Sequence, residues 1–518
     1  MAGRDFDVAH FGSRALLVAV LVLPACILVD DPSHCANRDG DATCVEEYGQ
    51  GWACSVCERG APSLGCSDAP IEAQCRFDAG GDGSSSGSGG SGGSSSGDGS
   101  TTGPLVECEG TGAVEGCPDD RPYCVEGACN GCEAAGGHDY CAGLSEAVPQ
   151  CNPAWGHCVE CYDDASPACG GGEVCGDDFA CGPCTRHEQC PMSACNLFRG
   201  TCMDGQMELW VDDDTEVCVA DGPGTEAMPL CDVDVAVDRI LAGDSGIVRL
   251  RNGSYESLLL PDCASKSVAV LGESMTSTII DLNTVAAAPA IEVACGSELM
   301  LHRVRLRRNA APAVRCHDGG KLSLQEVLVD FALVGVEAVD CRLHSLRSRF
   351  LGLRGAAIAA DDDSEIVLRN DVIAATVPDE GAPYTHALTV VDSDADLRFV
   401  TLVDNDNGNL TCSGASTVTA HSVLVADTND AASIDCVVAT FDHSVVDESE
   451  VVGEDNVSLL LEPTWFDDLN AGDYRLVDSE GTLAGIGRWD LGDPRMDLEG
   501  AARVEIPGAP TWPGADQP

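Results

Sequence analysis

Three aspartates alternate along one short run, Asp392-x-Asp394-x-Asp396, and a second run reads Asp404-x-Asp406-x-Gly408. Carboxylate oxygens at this spacing could hold Ca2+, a hard cation that takes oxygen ligands. No complete Ca2+ loop with a terminal Glu follows, so these residues are the whole of the Ca2+ signal, and no other cofactor is expected. Asp361, Asp362 and Asp363 form a third acidic run, and Arg303, Arg305 and Arg307 alternate along a fourth. Paired carboxylates can hydrolyse glycosidic bonds. In strands, alternation puts each set partly on one outer face. The Asp runs also fall where one strand turns into the next, and solvated turns account for them equally well. The six histidines from His302 to His443 are scattered. No His-x-x-x-His or Ser-His-Asp order links them, so no catalytic residue is assigned.

Cysteine carries the other chemistry, with 31 in 518 residues. Apart from Cys26 they fall in three blocks, each with an even count. The first holds Cys35, Cys44, Cys54, Cys57, Cys66 and Cys75. The second is a fourfold repeat of four: Cys108, Cys117, Cys124, Cys129; then Cys132, Cys141, Cys151, Cys158; then Cys161, Cys169, Cys175, Cys181; then Cys184, Cys190, Cys195, Cys202. The third holds Cys218, Cys231, Cys263, Cys295, Cys316, Cys341, Cys412 and Cys436. Cys-x-x-Cys recurs at the three junctions of the repeat, a spacing that also binds zinc. In an exported chain, even counts and drifting spacing favour disulfides closed within each block. The pairing is not readable from sequence.

Formal net charge is -58, with only two lysines, Lys266 and Lys321. Such a chain repels nucleic acid, which excludes DNA or RNA as a partner. Aromatic residues make up 4% of the chain, few for a groove that grips sugars by stacking.

The N-terminus sets the compartment. Arg4 and Arg14 precede an apolar run, Ala15 to Cys26, too short to span a bilayer. Leu23-Pro24-Ala25-Cys26 resembles the lipobox of bacterial lipoproteins. The resemblance implies that Cys26 is lipidated and becomes the first residue of the mature protein. Membrane contact then comes through that lipid. Ile27 follows, without an immediate inner-membrane retention signal, so the outer membrane or cell surface is the expected location.

The chain divides by texture. After the signal at 1–25 come a small six-cysteine module (26–78) and a Gly/Ser-rich flexible linker (79–104). The four-cysteine repeats (105–204) read as a rod or stalk with almost no hydrophobic core. From 205 to 505 short Val/Ile/Leu strands dominate, introduced by a helical stretch, CDVDVAVDRI. Anchoring each repeat at Ile291, Val314, Val336, Ile358, Leu388, Leu410 and Ile434 gives a period of twenty-odd residues. That period, with three short strands per turn, suits a parallel β-helix. Within one rung Leu299, Leu301, Val304 and Leu306 face in, while Glu298, His302 and the three arginines can face out. The stretch around Pro378 to Tyr384 should leave the coil as a loop. Residues 506–518 read as a disordered tail.

Residues 210 to about 505 resemble the right-handed parallel β-helix (pectin-lyase-like) proteins. Gly243, Asp244, Gly253 and Tyr255 match the opening layout, and Asp497, Gly500 and Arg503 match a closing turn. Glu480 to Gly485 replace the usual Ser-Pro-Ala-Ile-Asp of that ending. The resemblance implies an all-β solenoid with caps at both ends. Relatives of this kind include polysaccharide lyases, which need Ca2+-binding carboxylates beside an Arg or Lys base. The polygalacturonase signatures are missing. The sequence reads first as a lipid-anchored, exported surface protein whose β-helix is presented on the disulfide-rich stalk for structural display or for binding extracellular polysaccharide or another surface protein; the alternative is a polysaccharide lyase or glycoside hydrolase.

Overall fold

The computed structural model describes most residues from 122 onward, apart from short segments such as 163–168, 261–264, 283–290, 379–383 and 428–432. It also describes isolated pieces around 53–54, 66–67, 112–113 and 117. Cys26, the linker and most of the six-cysteine module lie outside the described residues.

The C-terminal half is a parallel β-solenoid. Strands stack in two parallel sheets, one of fifteen strands and one of ten. All seven anchor residues lie in a single ladder: Ile291 pairs with Val314, then Val336, Ile358, Leu388, Leu410 and Ile434. The rung pattern holds as well. Leu299 sits over Leu322, Leu301 over Leu324 and Leu306 over Val329, all fully buried. Apolar residues at these inward positions make one continuous core along the coil axis.

Each coil turns on residues in the left-handed region. One corner is lined by Asp318, Asp340, Asp362 and Asp392, with φ from 45 to 51°. Asp tolerates this conformation better than most residues, which explains why the acidic runs recur at coil spacing. A second corner carries Arg303, Glu326, Arg347, Asn370, Phe399, Ser422 and His443, with φ from 51 to 53°. Inside the first corner a serine ladder joins coils: Cys341 N donates to Ser364 Oγ, Ser364 N to Ser393 Oγ, and Ser393 N to Ser416 Oγ. These bonds satisfy backbone donors that the turn takes out of the sheet.

The helix Val233–Ala242 caps the first coil. Asp232 accepts from Asp234 N and Val235 N at its start, and Val233, Ala236, Val237 and Ile240 bury one face. Gly253 is needed where the chain enters the coil, because a Cβ there would lie 2.3 Å from Asp213 Oδ1.

Among the described cysteines, pairing follows one rule. In each complete repeat the first cysteine bonds the third and the second bonds the fourth: Cys132–Cys151 and Cys141–Cys158, Cys161–Cys175 and Cys169–Cys181, Cys184–Cys195 and Cys190–Cys202. Cys117–Cys129 fits the same rule. Each Cys-x-x-Cys therefore belongs to two neighbouring repeats. Cys218–Cys231 staples the entry segment, while Cys316–Cys341 and Cys412–Cys436 tie adjacent coils.

Two expectations need correction. The repeats are not a free stalk. The last one packs on the solenoid, where Ala194 and Met203 meet Ile247, Ala269, Leu271 and Met300. The segment 506–518 is not a disordered tail either. Ala509–Thr511 pairs with Gly487–Trp489, and Ala515 is fully buried. The C-terminal segment runs back along the solenoid, where Trp465, Phe466, Leu476 and Leu483 cover Val372, Ala374, Val403 and Leu424.

Candidate functional site

The middle strand of each coil presents its outward residues side by side, because parallel register puts equivalent positions in rows. One row runs His302, Gln325, Leu346, Arg369, Arg398, His421, Asp442. The next runs Met300, Ser323, His344, Val367, Asp396, Thr419, Thr440. The early part of this face is covered. Ser267, Glu298, Met300, His302, Ser323 and Gln325 are all buried, although Glu298 and His302 read as outward-facing in the sequence. The last cysteine repeat covers them. Asn196 Nδ2 donates to Glu298 Oε2 at 2.9 Å, His187 N donates to Gln325 Oε1 at 2.9 Å, and the Phe198 ring lies 5.1 Å from that of His344.

A charged knot pins the repeat. Glu188 accepts from Arg347 at 2.9 Å and from Gln325 at 2.6 Å, and Arg347 also reaches Glu326 at 2.6 Å. Burial opposes the charge on Glu188, but the His302 ring, with Nε2 3.6 Å away, and the charge of Arg347 outweigh it and hold its pKa below the usual carboxylate range. Glu188, His302 and Glu326 place three ligand atoms within 4.8 Å. Arg303 bonds Glu326 at 2.6 Å, so arginines already neutralise both carboxylates. The knot is a structural clamp.

Beyond Leu346 the face opens. Arg369 donates to the Asp396 carboxylate and to its carbonyl, and Arg398 donates to Asp493 Oδ1 at 2.9 Å. Asp493 is fully buried in the C-terminal segment. His421 Nε2 lies 3.5 Å from Asp493 and 2.9 Å from the Arg488 carbonyl. Burial alone would lower the His421 pKa, but Asp493 raises it above the ordinary value. In a chain of net charge -58, Arg398 and His421 border a hollow of about 360 Å³ together with Asp396, Thr419, Thr440, Asp442 and Asp490, and Arg369 lies one coil away in the same row.

The strip has boundaries. The C-terminal loop holding Asp490, Gly492 and Pro494 borders one side. At the covered end a cavity of about 250 Å³ opens between that loop, the repeats and the sheet. Asp177, Thr185 and Leu197 form its wall, with Ser323, His344 and Arg369 among the lining residues. Burial lowers the His344 pKa.

The sequence-derived candidates separate. Asp362, Asp363, Glu365, Asp392 and Asp394 share an acidic notch of about 500 Å³ at the first corner. Asp392 accepts from Ala415 N at 2.7 Å, and Asp396 turns away to Arg369 and Arg398. Asp361 accepts from Asp362 N. Arg303 bonds Glu326, Arg305 bonds Asp330, and Arg307 lies over the Phe331 ring. Asp404 accepts from Tyr474 at 3.3 Å, a contact to the C-terminal segment. Sequence reading missed Glu188, Arg369, Arg398, His421 and Asp493. One signal was present: SVAVLG at 267–272 is apolar on both alternating faces, the mark of a strand buried on both sides.

No curated protein matches this chain. Among solved structures it is similar to the Geobacillus virus E2 protein ORF18, with 13% identity, TM-score 0.29 and coverage of 48% of this chain and 60% of that one. It thus spans less than two thirds of that protein. Similarity extends to pectate lyase Pel9A (11% identity, TM-score 0.31, 60% of this chain, 97% of that chain) and a rhamnogalacturonan lyase (11%, 0.26, 52% and 92%). A model of a family of unknown function, DUF8331, matches residues 92–208, the linker and cysteine repeats.

Proposed function

We propose that this protein acts on a linear acidic polysaccharide laid along the open strip of the solenoid, and cleaves it by elimination. The observation that supports this reading is the row of Arg369, Arg398 and His421, half-buried side chains on one face of a strongly acidic chain. Elimination from a uronate needs positive charge at the carboxylate, an acid at the leaving oxygen and a base for the C5 proton, as the C5–H and C4–O bonds break and a C4=C5 double bond forms; the base would be the Asp442 carboxylate, which lines the same hollow. Arg369 and Arg398 supply the first. His421, whose pKa Asp493 raises against burial, supplies the second. Ca2+, where it takes part, enters at the notch of Asp392 and Asp394, and a chelator-sensitive melting shift tests it.

Export and a lipid at Cys26 belong to the same proposal. The anchor places the solenoid outside the cell, where such polymers occur. Display for binding alone, without cleavage, is the second reading, and the pairing of Asp396 with both arginines favours it because that carboxylate is already engaged.

The test is to incubate the purified chain with pectate, alginate or hyaluronan, with and without Ca2+. Unsaturated product absorbing in the ultraviolet supports cleavage, and its loss in Arg398→Ala assigns the strip. Binding without product supports display. Neither binding nor product with any polymer overturns the proposal.

A further inference from the structure

We infer that the last cysteine repeat makes the strip one-ended, so that the protein recognises the terminus of a glycan chain in the cavity at the foot of the repeat. This rests on the polysaccharide reading and adds which part of the polymer is held.

A polymer bound through its interior needs a face open at both ends. Here the rows of outward residues are open from Arg369 to Asp442 and closed from Gln325 back to Ser267. The closure is built into the fold. The repeat is held by the Glu188–Arg347 pair, the Asn196–Glu298 bond and the apolar contact of Met203 with Met300. Two disulfides, Cys184–Cys195 and Cys190–Cys202, keep its shape.

The cavity at this end has the chemistry of a sugar subsite. Its surface mixes apolar walls with a few polar groups, the usual make-up of a small-ligand site. Ser323, 1% exposed, and the half-buried His344 both line it. A hydroxyl and an imidazole facing a cavity offer donors and acceptors to the ring hydroxyls of a sugar. Arg369 lies between the cavity and the strip, because Val367 and Arg369 sit in register with Asp396 and Arg398. A terminal sugar in the cavity thus leads directly onto the cationic row.

The experiment titrates the full mature chain with pectate, alginate and hyaluronan, each cut to three lengths. Val367→Trp fills the cavity from the sheet, and Val437→Trp, at a fully solvated site, is the control. End recognition predicts affinity that is constant per chain and independent of length, a loss of about tenfold or more in Val367→Trp, and no loss in Val437→Trp. Affinity constant per sugar, rising with polymer length, overturns the inference and leaves the polysaccharide reading standing. Per-chain affinity that Val367→Trp does not weaken overturns the cavity as the terminal site. No binding to any of the three polymers overturns both readings together.

Discussion

The carboxylate of Glu188, on the last disulfide repeat, accepts a hydrogen bond from Arg347 at a solenoid corner, at 2.9 Å and across 159 residues of sequence. Arg347 is one-tenth exposed and also holds Glu326. One guanidinium therefore ties the cysteine-rich segment to the coil.

Removing that cation leaves Arg303 as the remaining guanidinium beside both carboxylates, 2.6 Å from Glu326 but 3.8 Å from Glu188. Arg347→Ala should destabilise the protein by roughly 3 kcal/mol, the usual loss on breaking a buried ion pair from one side. The readout is limited proteolysis between Cys184 and Cys202 alongside thermal melting. An unchanged melting curve and cleavage pattern would show that the clamp contributes nothing.

Acid should loosen the same junction. His187 is buried, and its pKa is pushed down to about 3, first by burial and then by the charge of His302. The unfolded chain titrates this group near 6.5. Between the two values the unfolded chain holds the extra proton, so stability rises with pH there. The contribution is complete above the unfolded value and is lost as pH falls toward the folded one, by at most about 1.4 kcal/mol per unit. His187→Asn keeps an acceptor for Cys195 N and should flatten this acid limb. An acid limb as steep as that of the wild type would exclude His187 as its source.

Asp371 should work in the opposite direction. It is buried beneath the strip and accepts from Ser345 Oγ, Ser348 N and Arg369 N, yet burial pushes its pKa up to about 7. The folded state holds the proton above the ordinary 3.8. Its contribution is present at low pH and is lost as pH rises through 7. Asp371→Asn should therefore gain stability over the wild type at pH 8 and not at pH 4, read by melting at both. Equal shifts at the two values would refute the buried neutral carboxyl.

The disulfide rule makes a chemical prediction. Peptide mapping without reduction should recover Cys184–Cys195 and Cys190–Cys202, and no bridge between Cys181 and Cys184. Cys184→Ala with Cys195→Ala should cost roughly 2–4 kcal/mol. A bridge across any Cys-x-x-Cys junction would break the rule.

The solenoid was legible because its core repeats. Leu322, Leu324 and Val329 lie at the offsets of Leu299, Leu301 and Leu306, and apolar periodicity survives in sequence. The even cysteine blocks announced disulfides but not partners, since pairing depends on how the loops between them fold. The docking of the repeats was hidden for a different reason. Glu188, Asn196, Gln325 and Glu298 are polar and ordinary in sequence, and only their meeting buries them. Arg503 matched a closing turn, and its role is clear only in space. It lies 4.1 Å from the Phe399 ring and donates to the Gly514 and Ala515 carbonyls. That contact orders the tail which composition suggested was loose.

The most direct measurement is hydrogen exchange of the full chain with and without pectate, alginate or hyaluronan. The account predicts slowed exchange confined to Glu365–Arg369, Asp394–Arg398, Thr417–His421 and Ala439–Asp442 with at least one polymer. Unchanged exchange in those four strands with every polymer, or protection only on another face, would contradict it.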